Sequence, residues 1–432
     1  MQPGAFIHRS HAGSTAKSRA AILRPVQRAP TTKIVLAYSG GLDTSVALPW
    51  LRERYNAEVI AYCADLGQPG SLDDVRRRAI AGGAARVVIE DLRDTYLRDY
   101  VFPALRANAA YEQRYLMAAP LGRPLIGRRL VHVARAEGAD AVAHGSTGKG
   151  NDGVRFYAAV VAHDTALRVL APAAEWELAS RAAELHYAEQ HGIEVPVGVE
   201  SPYSMDGSIW GTSTECGPVE DPALPAPDDA WQLTRPLADA PDDPSDVVVT
   251  FEQGLPVELD GVAHPPVALV RALTELAGAH GVGRVDMVES SLLGIKTRAL
   301  YESPAGVVLH LAHRELESLC LDRDTLRFKA AVDQRYAELV YDGLWFSSLR
   351  RSLDRFVDAT QETVCGTVTV RLHKGAATCR QRQSPSGLYR AAVSSHDAGD
   401  RFDHSAAAGF SYVWSMPQRL RTEIDGDRSP AP

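Results

Sequence analysis

From residue 33 onward, apolar residues fall into short blocks, each followed by an amphipathic stretch. "KIVLAY" (33–38) is a compact apolar run that reads as a buried strand. Residues 44–55 read as a helix, and "EVIAYCAD" (58–65) as a second strand. "SLDDVRRRAIAGG" (71–83) opens on a serine N-cap with acids in its first turn and closes on glycines, so it carries both ends of a helix. "ARVVIED" (85–91) predicts a third strand, 126–138 a helix and "DAVAHG" (140–145) a fourth strand. Strands alternating with helices imply βαβ units and a doubly wound parallel sheet. Ligands of such sheets sit beyond the carboxyl ends of the strands. Two glycine-rich stretches, 39–45 and 145–152, begin at such ends.

The pattern changes near residue 200. "EDPALPAPDDAWQLTRPLADAPDDPSD" (220–246) is rich in proline and aspartate and reads as a long surface connection. "VVVTFEQGLPVELDG" (247–261) predicts a hairpin, and helices follow near 266–280 and 312–340. These features describe a second, α+β domain. The expected division is a tail over 1–32, a nucleotide domain over 33–198, a substrate domain over 199–410 and a C-terminal segment over 411–432.

Composition narrows the class. The 432 residues are 45% hydrophobic, enough for sizeable cores, and no apolar run approaches the ~20 residues of a membrane span. Five scattered cysteines (Cys63, Cys216, Cys320, Cys365, Cys379) form no CxxC pair, which argues against a disulfide framework or zinc site. A reducing compartment fits them. Residues 1–32 hold Arg9, Lys17, Arg19, Arg24 and Arg28 but no acid, so the tail is either a disordered extension or a targeting segment. Without those five, the rest of the 46 Lys+Arg face all 54 Asp+Glu. A body with that acidic excess offers no long nucleic-acid footprint.

The stretch "SGGLDTS" (39–45) follows the first strand. Glycines let backbone N–H groups converge on an anion, and the next helix aims its positive end there. Ser39, Thr44 and Ser45 supply hydroxyls, and Asp43 can orient a loop amide or a magnesium ion. The stretch lacks the lysine of GxxxxGK[ST] and is not GxGxxG. Phosphate binding is the expectation. In "HGSTGKGND" (144–152), Lys149 can neutralise phosphate charge and Asp152 can pair with an ammonium group. His310 and His313 stand at i, i+3 without a third ligand, so a metal role is not expected.

"SGGLDTS" resembles the pyrophosphate loop of the N-type ATP pyrophosphatases. Within that group, "AYSGGLDTS" (37–45), "AYCADLGQ" (61–68) and "AHGSTGKGNDGVRF" (143–156) resemble the argininosuccinate synthase family. "SPYSMDGSIWG" (201–211), "ECGPVEDP" (215–222), "HGVGRVDMVE" (280–289), "GIKTRALYESPAG" (294–306) and "YAELVYDGLW" (336–345) continue the match in order. The resemblance implies a doubly wound nucleotide domain, a synthetase domain and a C-terminal oligomerisation segment. It also implies ligation of L-citrulline with L-aspartate through adenylated citrulline, in a cytoplasmic homotetramer. ATP would arrive with Mg2+ and be held by Ala37, Tyr38, Ser39, Gly40, Gly41, Leu42, Asp43, Thr44, Ser45, Ala64 and Gly145. Aspartate would meet Thr147, Asn151 and Asp152. Citrulline would meet Tyr115, Asn151, Arg155, Ser204, Ser213, Glu289 and Tyr301. Asp43, Lys149 and Asp152 are the candidate catalytic residues.

The chain departs from the family pattern at three places. A Thr-Ser pair becomes Ala119-Pro120, an Asn-Arg pair becomes Ser290-Ser291, and a Pro-Trp-Arg segment becomes "APAAEWEL" (171–178). The first two fall on the citrulline side, which leaves a paralogue with a different ureido or carbamoyl substrate as the alternative. An enzyme that adenylates a tRNA base is the more distant one, and the acidic body speaks against it.

Overall fold

The computed structural model describes residues 30–178, 180–194, 202–396 and 399–426. The tail up to residue 29 and the expected boundary at 198/199 lie outside the described residues.

Five strands form a parallel sheet: β1 (Lys33–Ala37), β2 (Glu58–Asp65), β3 (Arg86–Asp91), β4 (Ala141–Ala143) and β5 (Arg168–Leu170). Their order is β3-β2-β1-β4-β5. The chain therefore reverses its direction of travel between β1 and β4, which makes that gap the switch point of a doubly wound sheet. Register follows the apolar pattern, with Ile34 beside Val59 and Ala141. Ile34 and Leu36 pack on helices Leu42–Tyr55 and Leu72–Ala81, whereas Val35 packs on Ala118–Glu137 and Asn151–Val161. That two-sided burial is why β1 reads as a continuous apolar run.

The helix expected at 126–138 begins at Ala118. Pro120 and Pro124 discourage a helical reading; Pro120 lies in the first turn, which needs no N–H donor, whereas Pro124 lies inside the helix and forgoes one intrahelical bond. The helix expected over 312–340 is two helices, Pro304–Cys320 and Arg323–Tyr341. Leu321 is extended between them, and Asp322 caps the second by accepting from Asp324 N and Thr325 N at 2.9 and 3.0 Å.

The second domain holds two antiparallel sheets. β6 (Ser204–Ser208), β7 (Gly211–Glu215), β11 (Arg284–Ser290) and β12 (Lys296–Glu302) pair in the order β11-β12-β7-β6. β8 (Ser245–Glu252), β9 (Leu255–Leu259), β10 (Val262–Ala263), β13 (Gly366–His373) and β14 (Ala376–Gln383) form the other, in the order β10-β9-β8-β13-β14. The 220–246 connection is bound down rather than loose. Buried Glu302 accepts from Gln232 N at 2.6 Å, Leu233 N at 2.9 Å and Thr234 Oγ1 at 2.6 Å. Those three donors from the connection satisfy a buried carboxylate and fix that chain at the end of β12.

The domains meet through backbone and indole bonds. Ile209 N donates to Leu66 O at 2.8 Å, and Trp210 Nε1 to Leu116 O at 3.0 Å.

Candidate active site at the strand ends

The 39–45 loop leaves β1 at the switch point. Gly40 takes φ +77°, a conformation that glycine reaches without strain. Gly41 precedes the helix with no side-chain cap, so the helix N-terminus is open to an anion. Ser39 Oγ accepts from Gly41 N at 3.3 Å and lies 3.2 Å from Thr44 Oγ1. Tyr38 is buried, with its hydroxyl 3.1 Å from Ser45 Oγ. Asp43 stands in the first helical turn. Ala37 ends β1, Leu42 is buried as the first helical residue, and Ala64 lies near the carboxyl end of β2.

Gly145 follows β4 and brings the second loop against the first. A Cβ built on it would meet Thr44 Cγ2 at 2.8 Å. Thr147 and Lys149 are exposed on this loop, and its end folds into helix Asn151–Val161. Asp152 sits in that helix's first turn, where the dipole favours an acid. Arg123 Nε reaches its Oδ2 at 2.8 Å, and Arg155 Nη1 its Oδ1 at 2.9 Å. Burial works to raise this carboxyl, but the two guanidiniums outweigh it and hold it down at about 2. Arg123 also bonds Asp206 on β6, whose carboxyl burial pushes up. Arg155 is 4% exposed, and its Nη2 is buried without a partner among the described residues. A donor left open in that way is available to a substrate carboxylate or carbonyl.

The third wall is the β6–β7–β11–β12 sheet. Ser213 lies opposite Asp206 on one side and Tyr301 on the other, and Glu215 lies opposite Ser204. Tyr115 stacks on Tyr301 with centroids 3.6 Å apart. Glu289 is 3% exposed and receives Tyr301 Oη at 2.8 Å and Tyr341 Oη at 2.6 Å. Burial raises its pKa, and the two phenols counter that by bonding the ionised form. Tyr301, Glu289, Asn151 and Arg155 are thus linked through Tyr341, whose hydroxyl accepts from Asn151 Nδ2 at 3.0 Å. Lys149 is not drawn into that cluster by any described bond.

Sequence reasoning assigned nothing to Arg123, Asp206, Glu215, Tyr341 or Arg78. Glu215 and Asp206 were open to discovery, since strand periodicity puts Glu215 on the face of Ser213 and pairing puts Asp206 opposite it. Arg123 and Tyr341 come from distant helices, and no local pattern announces them. Arg78 approaches the first loop from helix Leu72–Ala81, its Nη2 3.0 Å from where a Cβ of Gly40 would stand. Its Nε is buried and unpartnered among the described residues.

A doubly wound sheet with an anion-ready loop at its switch point, joined to a sheet face of carboxylates, serines and tyrosines, has the plan of an ATP-dependent ligase. The family model "Arginosuccinate synthase N-terminal HUP domain" matches residues 33–194, and "Arginosuccinate synthase C-terminal domain" matches 203–421. An argininosuccinate synthase of Rhodococcoides fascians is 52% identical over 385 residues, 89% of this chain and 98% of that protein. Another, from Gloeobacter violaceus, is 51% identical over 393 residues, 91% of this chain and 98% of that protein. A third, from Rubrobacter xylanophilus, is 50% identical over 400 residues, 93% and 97% of the two chains. The chain belongs to the argininosuccinate synthase family.

Proposed function

We infer that this chain joins L-citrulline to L-aspartate, converting ATP to AMP and pyrophosphate and forming argininosuccinate for arginine biosynthesis. The observation that supports this best is the placement of the 145–152 loop. One end abuts Thr44 of the anion loop, and the other, at Asn151, is bonded to Tyr341 and Leu292 N of the second domain. A nucleotide at the first end and an amino acid at the second would be neighbours.

In the first step the ureido oxygen of citrulline bonds to the α-phosphorus, and the bond to the β-phosphate oxygen breaks. Pyrophosphate leaves against the N–H groups and hydroxyls of 39–45. In the second step the aspartate amine attacks the activated carbon, AMP departs with the oxygen, and the amine loses a proton. No residue of the chain forms a covalent bond. Its work is positioning and charge stabilisation, the usual burden in transfers of this kind. Arg155 and Glu289 would hold the carboxylate and ammonium ends of citrulline, and Thr147, Asn151 and Asp152 would hold aspartate. Because Asp152 already binds two arginines, it would present a pre-ionised acceptor. ATP would come as its magnesium salt, with the ion on phosphate oxygens and water.

The finer assignments follow the same reading. Helices His404–Trp414 and Met416–Gly426 expose Phe410, Tyr412, Val413, Trp414, Leu420 and Ile424, an apolar surface suited to a homotetramer. No helix among the described residues is long and apolar enough to cross a membrane, and we place the enzyme in the cytoplasm. A second reading, a ureido substrate other than citrulline, is favoured by Pro120 alone. Pyrophosphate release with ATP, aspartate and a panel of ureido compounds tests both. Citrulline-dependent release supports the main reading, and release only with another compound replaces it.

A further inference from the structure

Tyr341 closes helix Arg323–Tyr341 and is 1% exposed. Its ring stacks on Tyr111, with centroids 3.4 Å apart and 8° between planes. The guanidinium of Arg155 lies 4.8 Å from its centroid, and Arg155 Nε donates to its carbonyl at 2.9 Å. These contacts leave the ring no freedom, so its hydroxyl is fixed in space.

That hydroxyl accepts from Asn151 Nδ2 at 3.0 Å and donates to Glu289 Oε1 at 2.6 Å. The direction of both bonds is forced by chemistry. An amide nitrogen only donates and a carboxylate only accepts, so the group between them must do both. Burial raises the phenol's pKa, which keeps its proton in place. Asn151 Oδ1 meanwhile accepts from Leu292 N at 2.9 Å. A primary amide has two N–H groups and two carbonyl lone pairs. One of each is used on the second domain, which settles the orientation of the amide. One of each remains for substrates.

We propose that Tyr341 is a positioning residue that aligns Asn151 and Glu289 together, so that one hydroxyl holds the aspartate-binding and citrulline-binding halves of the site in register. This rests on the substrate assignment above. Tyr341 itself touches neither substrate. It acts by fixing the amide of one neighbour and one carboxylate oxygen of the other.

The test is Tyr341→Phe, which keeps the stack on Tyr111 and the ring beside Arg155 but removes the hydroxyl. The KM values for citrulline and aspartate should each rise ~10-fold, the low end for a lost bond to a charged group (Glu289) and the high end for one between neutral groups (Asn151), while that for ATP stays within about twofold. The melting temperature should stay within a few degrees. In a double-mutant cycle for the aspartate KM, Tyr341→Phe should add little to Asn151→Ala. Unchanged KM values would overturn the proposal. So would a common shift of all three KM values with the melting temperature, or full additivity in the cycle. Should the unmodified protein release no citrulline-dependent pyrophosphate, the substrate reading falls on its own. Calorimetric titration with L-aspartate then decides Tyr341: a tenfold weaker fit in Tyr341→Phe supports it, and equal affinity removes it.

Discussion

Gly145 and Thr44 approach so closely that a Cβ on the glycine would stand 2.8 Å from Thr44 Cγ2 and 3.5 Å from Asp43 Cβ. The end of β4 therefore sets the position of the anion loop that follows β1. Gly145→Val should push the helix N-terminus off its line and displace its N–H donors. Misplacing one preorganised donor costs roughly 10²–10³ in rate, so kcat/KM for ATP should fall by about 10²-fold. The melting temperature should drop only slightly. Near-normal ATP kinetics in this variant would show that the contact does not shape the loop.

Arg78 constrains the same loop from its other side. It is half-buried and its Nε has no described partner, so the guanidinium is free to meet a phosphate oxygen. Arg78→Met keeps an unbranched stem at this position but removes the charged tip that approaches Gly40. The ATP KM should rise ~10-fold, by the loss of a charge-assisted bond. Citrulline and aspartate KM values should hold, and a rise confined to those two would place Arg78 outside the phosphate site.

The parallel sheet was legible because β1 and β2 are buried on both faces and helix Leu72–Ala81 carries its own N-cap. Ser71 shows this well, since its hydroxyl accepts from Asp74 N at 3.3 Å. Three-residue β5 was not legible, and neither was β4's true extent, because strands that short carry no period. The two glycine-rich loops announced themselves by composition. Their supports did not: Arg123 lies 29 residues from Asp152, and Tyr341 lies 190 from Asn151. Such pairings are decided by how helices cross sheets, which no local pattern encodes.

Glu215 gives the site a pH signature. Although its side chain is solvent-exposed, crowding by the surrounding protein first, and the charges of Asp152, Glu289 and Asp206 after it, push its carboxyl up to about 7. Between the ordinary glutamate range and 7 the folded protein thus holds a proton that the unfolded chain has released. Its stabilising contribution is complete at low pH and is lost as pH rises through about 7. Glu215→Gln should remove that loss, so the variant should gain melting temperature relative to the unmodified protein between pH 5 and pH 8. Parallel melting curves across that range would show that Glu215 titrates normally.

Lys329 tests the core of the second domain separately from the site. It is 1% exposed, with Nζ 2.8 Å from Asp333 Oδ1 and 3.1 Å from Glu317 Oε1. Lys329→Met would leave buried Glu317 and half-buried Asp333 without their cation, a loss of ~3–5 kcal/mol. The melting temperature should fall on the order of 10 °C at neutral pH. KM values measured well below that temperature should be unchanged. A melting temperature within two degrees of the original would mean that the two acids simply take up protons.

Pro120 is the departure with the clearest consequence for substrate binding. It is the third residue of helix Ala118–Glu137 and is buried. A proline there costs the helix nothing, because the first intrahelical bond runs from Leu121 N to Met117 O at 3.0 Å. What it withholds is a hydroxyl and an N–H next to Ala119, whose N donates to Tyr115 Oη at 3.4 Å, and Tyr115 stacks on Tyr301 in the wall proposed to hold citrulline. The serines at 290 and 291 are tied to their own hairpin: Ser290 Oγ accepts from Lys296 Nζ at 2.6 Å, and Ser291 Oγ accepts from Ile295 N at 3.1 Å. Pro120→Ser should therefore lower the citrulline KM ~10-fold, the value of one bond to a charged group. Aspartate and ATP KM values should stay within about twofold, since those contacts come from other loops. Loss of the ring's restraint on the unfolded chain should cost about 0.4–1 kcal/mol of stability, visible as a small fall in melting temperature. If the citrulline KM does not move while the melting temperature falls as expected, residue 120 belongs to the helix and not to the substrate pocket.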